Sequence, residues 1–287
     1  MTAAPLIDLA VEGLTGSFGF GVAGNFAGHL EQAGEAADFA AATAAPEAPK
    51  GIFPWYVPGA DDFLGRYPLD ADRLALPALE PAANLQIEPE AGLICRIEYV
   101  DGQVAGIVPQ ALAAFNDCSI RRPGATLISE KKNWGSASKG LARRAFAVTE
   151  LDADGASATL RLACFLVRGD DVHEYGVDSP VCGYSYYGTT LLDWVAERAR
   201  DQREAPPLQD VGKLLAGSGL PERAVIGIGA TRYTNFGEQN FLEPDDESVV
   251  VLYDSATHSP DQIAAGVANG DQLERASVLR QRVELAG

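Results

Sequence analysis

The chain has 287 residues and carries 22 Lys and Arg against 40 Asp and Glu, a formal charge of −18. Its 47% hydrophobic and 22% charged content is that of a globular protein, which excludes a disordered, collagen-like or coiled-coil chain and leaves one large domain or two small ones. The excess of negative charge repels phosphate backbones and anionic lipid surfaces, so neither nucleic acid nor a membrane is expected as a partner.

No apolar run approaches the ~18 residues of a membrane helix, and the first basic residue is Lys50, so the chain lacks a basic targeting start and a cytoplasmic location is expected. Cys95, Cys118, Cys164 and Cys182 form no Cys-x-x-Cys pair, and their spacing suits buried small side chains better than zinc or disulfides.

In chain order, residues 13–24 are glycine-rich and apolar without a clear period, as in a loop and a close-packed strand. Phe26, Leu30, Ala33, Ala37 and Ala40 recur at helical spacing and predict a short helix with His29 near its start. The alanine, proline and acid of residues 40–49 read as a surface linker, and residues 51–89 as irregular loops between brief strands. Residues 93–100 and 104–108 flank Asp101-Gly102 and predict a hairpin. A helical turn is expected over 109–116, and a strand pair over 145–151 and 157–168 around Asp152-Ala-Asp-Gly155. Thr189 to Arg203, with Leu192, Val195 and Ala199 on one stripe, is the best helix, ended by Pro206-Pro207. Strands at 225–228 and 248–253 precede an expected pair of polar terminal helices over 260–285. No repeat of 20 to 50 residues occurs, which excludes a solenoid. Periodicity alone gives a β-rich α+β fold.

Among groups that carry chemistry, Glu88-Pro89-Glu90 places two acids on one face of an extended segment, ~7 Å apart along the chain, where they can converge on one cation. Pro89 assigns the pair to a strand start or edge. Oxygen-only ligation favours Mg²⁺, Mn²⁺ or Ca²⁺ over zinc, although such a pair is also common on solvated strands. Asp117 offers a third acid, or else an Asx turn or helix cap. Lys132 lies beside Trp134 in a Gly-Ser stretch, where an ammonium can stabilise an enolate or simply face solvent. His29, with Glu31 and Glu35 nearby, is a candidate general base or a packed side chain, whereas His173 and His258 have no supporting cluster. Phosphate-loop, His-Glu-x-x-His, Gly-x-Ser-x-Gly and dinucleotide patterns are absent.

The order of these pieces resembles the fumarylacetoacetate hydrolase family, in which a lid with Asn-Tyr-Ala-x-His precedes Glu-x-Glu, Asn-Asp-x-Ser-x-Arg, a Lys-x-Phe segment and a late Gly-Thr strand. The counterparts in this chain are Asn25-Phe26-Ala27-Gly28-His29, Glu88-Pro89-Glu90, Asn116-Asp117-Cys118-Ser119-Ile120-Arg121, Lys132-Asn133-Trp134-Gly135-Ser136 and Gly229-Ala230-Thr231, spread over residues 20–255. Departures mark a divergent branch: Arg122-Pro123 follow the arginine in place of an acid and a glutamine, the lid glutamate position holds Gln32, and Gly229-Ala230-Thr231 replaces Gly-Thr-Pro.

The resemblance implies an α+β, mostly β fold, a mixed β-sandwich roll or barrel with peripheral helices, a lid over residues 1–60 and a catalytic unit over 61–287, or a single domain overall. It implies Mg²⁺, or Mn²⁺ or Ca²⁺, on Glu88, Glu90 and Asp117, with Lys132 beside ion and enolate. His29 with Glu31 or Glu35 would activate water, and Arg121 and Thr231 would contact substrate. The implied activity is hydrolysis of a 2-oxo or β-diketo acid through a metal-stabilised enolate, carbon-carbon cleavage favoured, with decarboxylation or isomerisation using the same enolate, and the implied assembly is a homodimer. A non-catalytic small-acid-binding or regulatory protein on the same scaffold is the alternative.

Overall fold

The computed structural model describes residues 4–35, 39, 48–78, 83–121 and 124–286. Among these, the strands in chain order are β1 (Leu6–Asp8), β2 (Phe18–Ala23), β3 (Gly51–Tyr56), β4 (Leu69–Asp70), β5 (Arg73–Leu76), β6 (Leu85–Gln86), β7 (Pro89–Val100), β8 (Gln103–Asn116), β9 (Ser119–Ile120), β10 (Lys139–Ala147), β11 (Leu160–Arg168), β12 (Asp171–Pro180), β13 (Arg223–Gly227), β14 (Glu247–Asp254) and β15 (Ala276–Leu285). The helices are α1 (His29–Gln32), α2 (Gly188–Asp201), α3 (Val211–Gly217), α4 (Asn235–Gln239) and α5 (Pro260–Asn269). The larger sheet runs β1-β10-β8-β7-β13-β2-β3 with β4 added to β10, the second runs β12-β11-β14-β15-β5, and β6 pairs with β9.

Alternation of side chains sorts the core into layers, because successive strand residues point to opposite faces. Leu93, Cys95, Leu112 and Ala114 of the larger sheet share one cluster with Leu162, Cys164, Val250, Leu252 and Leu279 of the second. Phe115, Ala113 and Leu141 face the other way, onto Phe53 and Trp55. Val249, Val251 and Tyr253 pack outward against Ile263 and Val267 of α5. The result is a mostly β, α+β sandwich whose sheets do not close into a barrel.

The hairpin at Asp101-Gly102 forms as expected, with both residues at positive φ, and is longer than its sequence signal. Residues 109–116 are strand rather than helix: this alanine-rich segment lies between β7 and β10, and pairing on both sides outweighs its helix propensity. The stretch 157–168 does not pair with 145–151. β11 lies between β12 and β14, while β10 joins β8 and β1. The chain end holds one helix and one strand. The capping box of Ser259 and Gln262, Pro260 at the first turn and Gly270 at φ 70° bound α5, and β15 enters the second sheet between β14 and β5. Helix α2 matches its expected span nearly to the residue.

Helix α1 is a single turn, followed by Gly34 at φ 71°. The Ala37 and Ala40 positions of the expected helix, most of the expected linker, and Arg122-Pro123 lie outside the described residues. All four cysteines are free, with Cys95, Cys118 and Cys164 buried and Cys182 half-buried. No helix among the described residues is long and apolar enough to cross a membrane.

Candidate metal and active site

The hairpin that begins at Pro89 and ends at Asn116 brings the two acidic motifs together. Pro89 pairs with Asn116, and the Asp117 N–H donates to the Glu88 carbonyl at 3.0 Å. Two register shifts, between Glu98 and Tyr99 and between Ile94 and Cys95, each add a residue to β8. Without them Pro89 would face Ala114, and Asp117 would overshoot the glutamates. Pro89 does start its strand, but β7 is interior, between β8 and β13.

Glu88, Glu90 and Asp117 are 4%, 2% and 0% exposed, and one oxygen from each lies within 4.8 Å of the others. Space for Glu90 depends on a glycine: a Cβ on Gly227 of β13 would stand 2.4 Å from Glu90 Oε2. The same oxygen accepts the Gly229 N–H at 2.9 Å, where the chain turns at φ 120°.

Cations surround the acids. Lys132 Nζ meets Glu88 Oε2 and Asp117 Oδ2, each at 2.6 Å, and stands 5.4 Å from the Phe53 ring centroid. Its segment is fixed by Asn133, whose amide donates to the Trp55 and Arg66 carbonyls at 2.8 and 3.0 Å. Lys139 Nζ contacts Asp117 Oδ1. Arg121 is held on several sides: Nη2 meets Glu88 Oε1 at 2.7 Å and Tyr233 Oη at 3.0 Å, Nη1 donates to Glu35 Oε1 at 2.7 Å, and Nε donates to Gln86 Oε1 at 2.7 Å. Glu35 Oε1 also accepts from Lys131 at 2.7 Å.

These contacts set the ionisation of the site. Burial alone would push Glu88 up, but Lys132 and Arg121 hold its carboxyl well below the usual range. Burial and the neighbouring Asp117 push Glu90 well above it. Lys132, which burial would pull down, is raised by Asp117 and Glu88, whereas for Lys139 burial outweighs Asp117 and the ammonium is lowered.

Helix α1 lies against the 231–233 segment. His29 Nδ1 lies 3.0 Å from the Thr231 carbonyl, which can only accept, so Nδ1 carries the proton and Nε2 the lone pair. Burial lowers the His29 pKa and keeps the ring neutral at pH 7. Gln32 both donates to the Tyr233 carbonyl and accepts its N–H, at 3.1 and 2.9 Å. Asn25 anchors the approach to α1 by bonds to Tyr186 and Ile228. His29, Glu35, Glu88, Glu90 and Lys132 line one narrow cavity of about 20 Å³, room for little more than a water molecule.

The structure thus gathers Glu88, Glu90, Asp117, Lys132, Arg121, His29 and Glu35, with the Thr231 carbonyl on His29. Glu31 faces solvent and does not join them, whereas Glu35 is buried against Lys131 and Arg121. Asp117 is neither a surface turn nor a helix cap but a buried, doubly ion-paired acid. His173 stacks on Phe236 at 4.1 Å, and His258 bonds the Glu274 carbonyl at 2.6 Å. Sequence reasoning missed Lys139, Tyr233, Gln86 and Gly227, and held Gly229 only as part of the Gly229-Ala230-Thr231 motif, not as a partner of Glu90. The strand that Lys139 heads also carries Arg143 and Arg144, so its charge gave no local signal of burial.

The donor set fits a hard divalent cation. It is all oxygen, and Glu88 Oε1 and both Asp117 oxygens are buried without a directed hydrogen bond, meeting cationic side chains only as ion pairs.

This arrangement defines a protein with a buried cluster of three carboxylates at the open end of the longest hairpin of a two-sheet sandwich. The chain matches, over residues 35–283, the model of a family of unknown function, DUF5718, and it belongs to that family. No curated protein matches its sequence. It is similar in structure to the maleylpyruvate hydrolase from Sphingobium sp. SYK-6, with 12% identity and a TM-score of 0.47 over 94% of this chain and 71% of that one. A 5-carboxymethyl-2-hydroxymuconate delta-isomerase from Mycobacterium smegmatis gives 16%, 0.46, 94% and 80%. A 2-keto-3-deoxy-D-arabinonate dehydratase complexed with magnesium and 2,5-dioxopentanoate gives 12%, 0.46, 94% and 73%. With TM-scores below 0.5, none of these likenesses bears on the reaction.

Proposed function

We propose that the chain is a divalent-cation-dependent enzyme of the fumarylacetoacetate hydrolase type, acting on a small 2-oxo or β-diketo acid, with carbon-carbon hydrolysis as the favoured reaction. The observation that carries this reading is the convergence of Glu88, Glu90 and Asp117, from motifs nearly thirty residues apart, into one buried cluster beside a neutral histidine. Glu88, Glu90 and Asp117 would hold the cation, preferably Mg²⁺, which supplies Lewis-acid polarisation of an oxo oxygen when bound.

The remaining roles belong to the chain's own side chains. His29, with Nδ1 tied to the Thr231 carbonyl, offers Nε2 to take a proton from water. Lys132 keeps its charge and can stabilise negative charge gathering on a bound oxygen. Arg121 orients Glu88 and Glu35 and is a positioning residue rather than a free substrate contact. Thr231 is assigned to the substrate carboxylate as well as to His29. Because the cavity holds about one water, substrate would enter when the α1 segment lifts from Thr231 and Tyr233; within the first sixty residues the lid is then this segment alone, since β2 and β3 are paired strands of the larger sheet. The same reading includes a homodimer, which sedimentation tests.

The test is turnover of oxaloacetate, acylpyruvates and related diketo acids with Mg²⁺ or Mn²⁺. Turnover lost in Glu90→Ala and in His29→Ala supports the enzyme, and absence of product from every acid at saturating cation refutes it. One observation favours a second reading, a non-catalytic binder of small acids: Arg121, Lys131, Lys132 and Lys139 already pair with Glu35, Glu88 and Asp117 in a nearly filled site. Tight binding of such an acid without product would establish it.

A further inference from the structure

Lys139 is fully buried, and its place follows from strand pairing. Gly140 lies opposite Asn116 in the β10–β8 ladder, which sets Lys139 across from Asp117, and the Lys139 N–H donates to the Pro68 carbonyl at 3.1 Å. Gly140 leaves room for the Gln281 amide: a Cβ there would stand 2.3 Å from Gln281 Oε1, while Gln281 Nε2 donates to the carbonyls of Asp70, Arg73 and Lys139 at 3.0, 2.9 and 3.4 Å. The Lys139 backbone is therefore fixed from both sides. Its Nζ contacts Asp117 Oδ1 and donates to the Cys118 carbonyl at 3.4 Å.

The two lysines on Asp117 differ in their freedom. Lys132, on Oδ2, lines the cavity, whereas Lys139, on Oδ1, does not. Drawing Lys139 away would strand a buried donor with nowhere to go, the costly way to break such a pair. A cation arriving in the cavity therefore competes with Lys132 and leaves Lys139 in place.

We propose that Lys139 sets the cation selectivity of the site: by holding Asp117 Oδ1 it leaves Oδ2, once Lys132 gives way, as the single Asp117 oxygen a metal can reach, and so favours Mg²⁺ over Ca²⁺. Ca²⁺ takes six to eight oxygens and commonly uses both oxygens of a carboxylate, whereas Mg²⁺ takes six in a tight octahedron, for which one oxygen per carboxylate suffices. This rests on the cation site proposed above, and it assigns Lys139 a role that charge alone does not provide. A purely electrostatic lysine would weaken both divalent ions alike, so its removal would raise both affinities and leave their ratio unchanged.

The test is calorimetric titration of Mg²⁺ and Ca²⁺ into the full chain and into Lys139→Met, with the melting temperature as the check on folding. The wild type should bind Mg²⁺ more tightly than Ca²⁺, and the Mg²⁺ to Ca²⁺ affinity ratio should fall by about tenfold in Lys139→Met, the size of effect typical of residues that hold a metal ligand. An unchanged ratio in a folded Lys139→Met overturns the role of Lys139 and leaves the cation site standing. Binding of neither ion by the wild type overturns the cation site and the selectivity with it. If the variant does not fold, the wild type decides alone: Ca²⁺ bound as tightly as Mg²⁺ overturns the proposal.

Discussion

Replacing Arg121 by methionine separates a positioning role from a substrate contact. The guanidinium is 10% exposed and makes ion pairs at 2.7 Å with Glu88 and with Glu35, besides bonds to Gln86 and Tyr233. Methionine fills much of the volume but leaves two buried carboxylates short of a cation, although Lys132 still meets Glu88 and Lys131 still meets Glu35. Breaking a buried pair by removing one partner costs about 3–5 kcal/mol. At about 2–4 °C per kcal/mol for a chain of this size class, that is a fall in Tm of roughly 6–20 °C, the remaining lysines favouring the lower part. Arg121→Lys should recover only part of it, because a single ammonium cannot reach Glu88, Glu35, Gln86 and Tyr233 together. Thermal unfolding followed by circular dichroism at pH 7 reads both variants. A fall below about 2 °C in Arg121→Met would refute the reasoning and return Arg121 to the substrate.

Three further outcomes follow from particular contacts. Gly227→Ala puts a Cβ 2.4 Å from Glu90 Oε2 and should cost about 1–3 kcal/mol while weakening Mn²⁺ binding, so an unchanged melt and titration would show that Glu90 tolerates the intrusion. Lys132→Met should still bind divalent cation and lose turnover; full turnover would remove Lys132 from the chemistry. Asp254 is pushed up by burial, but bonds from Thr159, the Ala256 N–H and Arg275 outweigh this and hold it below the ordinary aspartate value of about 3.9. Its contribution is present at neutral pH and lost as pH falls through the lowered folded-state value, so Asp254→Asn should be less stable than wild type at pH 7 and approach it under acid unfolding; a gap independent of pH would contradict the assignment.

Part of the site was legible because its signals are local. The Asp101-Gly102 turn predicts the hairpin, but the helical turn expected over 109–116 cuts its second strand short, so the meeting of Glu88-x-Glu90 with Asp117 was implied by the order of the motifs and not by the hairpin. The bulges that set the final register leave no mark in the sequence. The roles of Gly227 and Gly229 were equally hidden, since nothing in their neighbours says that a carboxylate lies against them. The misassigned elements share one cause. The segment 109–116 and the run 276–285 are strands because neighbours on both sides pair with them, and such long-range pairing is not encoded by the propensity of either stretch. Glu31 and Glu35 could not be told apart by spacing, because α1 ends after one turn and the chain then changes direction at Gly34.

The central claim is that Glu88, Glu90 and Asp117 hold one hard divalent ion, and titration with Mn²⁺ followed by loss of the free-ion electron paramagnetic resonance signal tests it most directly. One Mn²⁺ bound per wild-type chain, and none in a folded Glu90→Gln, is the predicted result. A free-ion signal undiminished by the wild type, or equal uptake by Glu90→Gln, would contradict it.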